Sequence, residues 1–274
     1  MSAYAHLFPD GDYRFHLTLR RGAPEDFFRP QDAGGGLLAE RRKWLEASPA
    51  CYAALLPEAA PLLEEFCSLA AIRQSAVAGP PAQADARGSA PWRPTIHELG
   101  AVLEPDVLFL SPDAGGRFRL QGGVVCFASG WALTEKIGHT VDFIHDVVPG
   151  LNSALAAPIH QFLSRMKPGV AFLRDNWGLA ATDERNLHPD RGIPAPGAPV
   201  ALDRLWLRVE EQAVMALPRT GGIAFGIRIA LCRLDELARE PAGSGLRRAL
   251  ARMPAEMAAY KRVDAIRADL INLL

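Results

Sequence analysis

The chain has 274 residues, 49% of them hydrophobic, and a formal net charge of −1. That length suits one large domain or a core with elaborations, and that apolar content is ample for packing it. The scattered basic residues leave no nucleic-acid or membrane-surface footprint, and no apolar run approaches the ~20 residues of a membrane span.

The opening MSAYAHLFPDGDYRF has no basic stretch followed by an apolar run, so no signal peptide is read there and a cytoplasmic chain is expected. Cys51, Cys67, Cys126 and Cys232 lie far apart with no CxxC pair. That spacing speaks against a zinc or iron–sulfur site built by this chain alone, and for free thiols.

After an extended start, residues 1–75 read as mostly helical, with helical spacing over Leu37–Trp44 and Ala50–Ile72 and with Pro57 and Pro61 as punctuation. Residues 76–94, rich in Ala, Gly and Pro, read as a linker or surface loop. Strands are expected at 107–110 and 117–129, separated by the turn SPDAGG. A helical block follows from about Thr134 to Met166. Three further strands are expected at 174–181, 204–217 and 221–234, the last two joined by the hairpin-like PRTGG. The C-terminus from Gly245 reads as helical.

Two strands, a helical crossover and three strands fit an α+β fold. One five-stranded antiparallel sheet with helices on one face satisfies the order, which is the topology of a PAS domain. The expected divisions are an N-terminal helical extension and linker (1–100), a PAS-like core (101–240) and a C-terminal helical segment (241–274).

Within GWALTEKIGHTVDFIHDVVPGLN, Thr134 is the expected N-cap. Ile137, Val141, Ile144 and Val148 then form one apolar stripe at i, i+4, i+7 and i+11. At ~100° per residue, His145 lies on the flank of that stripe, Gly138 shares the flank, and His139 falls nearly opposite. Pro149-Gly150 ends the helix. Two readings of His145 stand open. One is a half-buried ring bonded to a backbone carbonyl. The other is a neutral imidazole presented to something flat, such as a haem iron.

In LWLRVEEQ, Leu205, Leu207, Val209 and Glu211 share one face, and Trp206, Arg208, Glu210 and Gln212 the other. That polar face is either a sheet's wet side or a pocket. On the next strand Ala224, Gly226 and Arg228 share a face, opposite Ile223, Phe225, Ile227 and Ile229; small residues around an arginine leave room for a bound group. His188, in the polar loop TDERNLHPDRG, is either a turn residue or part of an entrance. No GxGxxG follows a strand, and Walker, HExxH and GxSxG patterns are missing.

Four blocks occur in order: WALTEKIGHTVDFIHDVVPGLN, RDNWGLAATDERNLHP, LWLRVEEQAVMALPRTGGIAFGIRIAL and MPAEMAAYK. With YRFHLTLRRGAPEDFF and ERRKWL near the start, they resemble the haem-dependent oxidative N-demethylase alpha-subunit family over most of the chain outside 76–94. The resemblance implies a fold similar to a PAS gas sensor, haem b on this chain, and oxidation of a small secondary amine such as dimethylamine with O₂ and NADPH. It implies partner subunits carrying FMN, a 2Fe–2S cluster and a tetrahydrofolate site. It makes His145 the expected proximal iron ligand, with His160 and His188 next in line. Arg208, Glu210, Gln212 and Arg228 would line the distal side, where donors stabilise charge on bound oxygen and Glu210 holds a cationic amine. Lys136, His139 and Arg174 would meet the propionates. The chain departs from the family pattern at His139, where an arginine often follows EKIG. The alternative on the same fold is a non-catalytic haem sensor or ligand-binding protein.

Overall fold

The computed structural model describes residues 4–11, 13, 15, 18–69, 72 and 92–274. The expected linker lies outside them except for its last three residues. Among the described residues seven strands form: β1 (Arg20–Gly22), β2 (Ala53–Leu55), β3 (Asp106–Pro112), β4 (Phe118–Val124), β5 (Ala171–Ala180), β6 (Trp206–Ala216) and β7 (Ile223–Arg233). They make one antiparallel sheet in the order β1-β5-β6-β7-β3-β4-β2. The five expected strands are its centre. The two additions are three-residue edges, too short to carry a period of their own.

One edge exists because of a glycine pair. On β4, Gly122 and Gly123 have φ of +134° and +158°; a Cβ at Gly122 would meet the Ala54 carbonyl oxygen at 2.3 Å, and one at Gly123 the Val107 oxygen at 2.2 Å. Only glycine lets β2 and β3 press on β4 from both sides.

Helices cover both faces of the sheet, not one as expected. On the face of Ala213 and Met215 pack Phe27 and Phe28 of α1 (Pro24–Phe28), Leu45 of α2 (Gly36–Ala47), Tyr52 of α3 (Pro49–Tyr52), Phe66 of α4 (Ala60–Ser68) and Leu99 of α5 (Ile96–Val102). A capping box between Thr95 and Glu98 starts α5. At the other end of the same face, Leu205, Leu207 and Val209 meet the C-terminal helices through Leu246, Leu250, Met257 and Leu270. On the opposite face, Val214, Leu108 and Leu110 meet the crossover through Ile159 and Leu163.

The crossover departs most from expectation. The single helix starting at Thr134 is a 3₁₀ turn (Leu133–Glu135), a left-handed turn at Gly138 (φ +82°), the short helix α6 (Val141–His145) and α7 (Leu151–Ser164). The true N-cap is Thr140, whose hydroxyl accepts from the Phe143 N–H. Gly138 N–H donates to Leu120 O at 2.7 Å and Leu120 N–H to His139 O at 3.0 Å, so 138–140 extends the sheet edge of β4. Sheet hydrogen bonds and a glycine outweigh the apolar stripe. The C-terminal residues do form helices: α8 (Leu234–Leu237), α9 (Pro241–Arg252), α10 (Ala255–Tyr260) and α11 (Arg267–Leu273).

Asp106 ties the N-terminal helices to the sheet. Its carboxylate accepts from Arg41 Nη1 at 2.5 Å and from the N–H groups of Cys126 and Phe127 at 2.7 and 2.9 Å, with both side chains of the ion pair essentially unexposed. Removing one partner of such a pair leaves a buried charge uncompensated. Asp106→Ala is therefore expected to cost about 3–5 kcal/mol, read as a lower urea midpoint at unchanged m-value.

Candidate functional site

The site is built where the crossover passes over β5 and β6. Helix α6 ends at His145, which is half-buried, and neither ring nitrogen has a hydrogen-bond partner among the described residues. Burial first, and then the charge of Arg174, push the His145 pKa below its ordinary value, with Asp142 opposing. The ring is thus neutral near neutral pH. That is the protonation state from which imidazole binds a metal.

The floor is a ladder of paired residues sharing one face: Arg174 opposite Gln212, Asn176 opposite Glu210, and Gly178 opposite Arg208. Glu210 accepts from Gln212 Nε2 at 2.9 Å and from Asn176 Nδ2 at 3.3 Å. Its neighbours on β7 are Ile229 and, beside Arg208, Leu231. Both are half-exposed, as are Arg174, Gly178 and Glu210. In the middle of a sheet covered elsewhere on both faces, this is an open patch, apolar on one side and polar on the other.

Glu210 is the electrostatic hub of that patch. Arg174, whose pKa burial lowers, is stabilised as a cation by Glu210 and then Asp175. Burial takes Lys261, at the end of α10, down to about 8, and Glu210 opposes this. The Lys261 ammonium donates to the Trp177 carbonyl at 2.5 Å on the β5 edge and lies 4.6 Å from the Trp177 ring. Burial raises Tyr260, and Glu210 adds to it. Burial, with Tyr260 beside it, takes Tyr13 up to about 12. Just past His145, Pro149 and Gly150 line an open cavity of about 260 Å³ together with Tyr13, Phe15 and Met257. None of the residues expected at the site lines it.

A family model for the haem-dependent oxidative N-demethylase, alpha subunit-like proteins matches residues 82–271. The chain belongs to that family. The family's description is of oxidoreductases that depend on haem and form one subunit of a larger assembly. The residues present fit a haem: the His145 imidazole is neutral and has no hydrogen-bond partner among the described residues, and the Arg174 guanidinium whose charge acts on it has none there either.

The structure redistributes the N-demethylase-family residues named from sequence. His145, Arg174, Glu210 and Gln212 come together. Arg208 is on the same face but already committed: Nε donates to Ser129 Oγ at 2.8 Å, and Nη2 to Phe127 O and Arg185 O, each at 2.7 Å. Burial lowers its pKa to about 10, against the stabilising charge of Glu210. It clamps two loops and has little left to offer a ligand. Arg228 is on the opposite face, across from Glu211. It donates to Glu104 Oε2 at 2.7 Å, Phe27 O at 2.9 Å and Arg29 O at 2.6 Å. The room expected beside it is filled by the chain's own rings, since a Cβ at Gly226 would meet Phe27 at 2.5 Å and Phe28 at 3.1 Å. Arg228 therefore does not line a distal pocket with Glu210.

Lys136 is half-buried with no side-chain bond among the described residues. His139 is exposed and stacks on Phe143 at 4.0 Å; no hydrogen bond, ion pair or ring contact joins either to Arg174. His160 Nε2 donates to Gly116 O, 3.1 Å away, on the surface. Sequence reasoning missed Asn176, Tyr260 and Lys261. The last two were carried only by the block MPAEMAAYK, with no pattern to assign them a role.

Two outcomes follow for this arrangement. Arg228→Met leaves Glu104 buried without its cation, and about 3–5 kcal/mol of stability should be lost in urea unfolding while any haem spectrum stays unchanged. His145 has a folded-state pKa below the unfolded ~6.5, so below that pH the unfolded chain binds more protons and acid favours it. Between about pH 7 and pH 5, the wild type should lose more stability than His145→Gln; parallel profiles would mean that the ring is not held neutral.

Proposed function

We propose that this chain is the haem-bearing subunit of an oxidative N-demethylase acting on a small secondary amine such as dimethylamine. The carrying observation is the neutral His145, without a hydrogen-bond partner among the described residues and under the charge of Arg174, which shares a sheet face with Glu210. His145 is the axial ligand in this reading, and Arg174 is the partner of a propionate, a planar cation matched to a carboxylate. Lys136 and His139 are assigned to the second propionate by the family pattern alone. The order of the five central strands, β4-β3-β7-β6-β5, supports a PAS-like reading in which a flat group lies between helix and sheet.

Bound haem would supply reductive activation of O₂ next to the N-methyl carbon. Over the whole reaction one O₂, two electrons and two protons convert the N-methyl group to formaldehyde and water, leaving the demethylated amine. The electrons are assigned to NADPH through partner subunits with FMN and a 2Fe–2S cluster, and the one-carbon product to a tetrahydrofolate site on a partner.

The chain's own residues bind and orient. Glu210 is the one carboxylate on the inner face of β5 and β6, and an ammonium in a half-buried site needs a counter-charge. Gln212 and Asn176 fix the carboxylate from two sides. Lys261 balances it when no amine is present. The apolar Ile229 and Leu231 suit the methyl groups and keep water sparse.

Haem reconstitution of the wild type should give a Soret band that His145→Ala abolishes or shifts. No band in either protein ends the proposal; equal bands in both move the ligand elsewhere. Glu210→Gln should keep the Soret band and lose about ten- to hundredfold in kcat/KM for the amine, the worth of one charge-assisted hydrogen bond, with the partner reductase supplied.

A further inference from the structure

The loop around His188 holds a second group of polar side chains, away from the haem-facing patch. His188 is 4% exposed and its Nε2 has no hydrogen-bond partner among the described residues. Its Nδ1 accepts from the Asp190 N–H at 3.3 Å, so in the neutral ring the proton sits on Nε2, a donor with nothing to donate to. Trp44 repeats the situation: its Nε1 is buried and has no partner among the described residues. The two rings flank Tyr52, with centroids 5.4 Å (His188) and 6.2 Å (Trp44) from it. The Tyr52 hydroxyl accepts from Asn186 Nδ2 at 3.0 Å, which leaves its own proton as a third donor.

Buried donors that go unmatched cost about 1–3 kcal/mol each, and a bound acceptor would relieve both. All three side chains offer hydrogen and none offers a spare acceptor. Cations stand over the outer ring: Lys43 Nζ lies 4.6 Å and Arg191 Cζ 4.5 Å from the Trp44 ring centroid. Arg191 is already paired with Glu184 and bonded to Asn186 O, so the charge left over suits a monoanion. We propose that Trp44, Tyr52 and His188 form a binding site for a small carboxylate, accepting from Trp44 Nε1–H and His188 Nε2–H under the Lys43 and Arg191 cations.

The site shares a loop with the haem-facing patch without sharing residues. Arg208 binds the carbonyls of Glu184 and Arg185 at the base of the His188 loop. Its failure and the failure of the N-demethylase reading are therefore separable.

The experiment is thermal unfolding of the full chain, whether or not it takes up haem, titrated with sodium acetate against sodium chloride at matched ionic strength. Sodium phosphate is run as the rival oxyanion. Acetate at ten times its Kd should raise Tm by about 3 °C, saturably. Trp44→Phe keeps a ring for Tyr52 and the cations but removes the donor, and should weaken the response at least tenfold. His188→Phe should do the same, and Trp44→Phe serves alone if His188→Phe does not fold. A response no larger than chloride gives, as for a site filled by water, overturns the proposal. So does saturation by phosphate alone, or an acetate response that Trp44→Phe leaves unchanged.

Discussion

The placement of His145 depends on one backbone event, the left-handed turn at Gly138. With φ at +82° the residue adopts a conformation that side chains with a Cβ avoid. The turn breaks the crossover after the 3₁₀ segment. It sends Gly138 N–H to Leu120 O, and Arg119 Nη1 binds the Gly138 carbonyl at 3.0 Å. The chain is thereby stitched to β4 before Thr140 caps a new, short helix. A continuous helix from 134 to 148 would carry His145 on its flank wherever that helix lay. A five-residue helix pinned at its start to the sheet edge has no such freedom, and its last residue comes to rest over Arg174.

The second constraint is the division of labour between the two faces of β6. One face is structural along its length: Leu205, Leu207 and Val209 in the C-terminal core, Glu211 across from Arg228, and Ala213 and Met215 in the N-terminal core. The other face changes character along the strand. Val214 is buried under the crossover, Gln212 and Glu210 are in the open patch, and Arg208 is consumed by loop carbonyls. Chemistry is left to the two or three rungs where the crossover does not reach. The single carboxylate there acts on three cations, Arg174, Arg208 and Lys261. Of these only Arg174 reaches His145, where its charge adds to burial in depressing the ring's proton affinity.

Much of this was legible in the sequence, for definable reasons. The alternation Trp206, Arg208, Glu210, Gln212 is a property of any strand, and the grouping of Glu210 with Gln212 followed from it. Arg228 could not be placed the same way. Alternation fixes which residues of one strand share a face, but which face of the neighbour they meet depends on register, and register is set by the six-residue connection from Leu217 to Gly222. The apolar stripe Ile137, Val141, Ile144, Val148 was real, since its first three members pack on the crossover core and the fourth on the C-terminal core. Its helical period was not, because a stripe cannot report a left-handed glycine. Lys261 and Tyr260 were invisible because they come from the last helices, far from Glu210 in sequence, and no local pattern marks a long-range electrostatic partner.

The two clamps Arg208 and Arg228 show why a buried arginine on a sheet is a poor signal of function by itself. Each satisfies carbonyls that loops would otherwise leave unmatched, and each would read from sequence as an anion donor. What separates Arg174 from them is the state of its donors. It is half-exposed where they are buried, bonds to nothing among the described residues, and is stabilised as a cation by Glu210 and then Asp175. Its donors are left to solvent or to a ligand, which those of Arg208 and Arg228 are not. The neutral His145 imidazole likewise has no hydrogen-bond partner among the described residues, so the fold leaves its binding capacity with Arg174 and His145 and not with the two clamps.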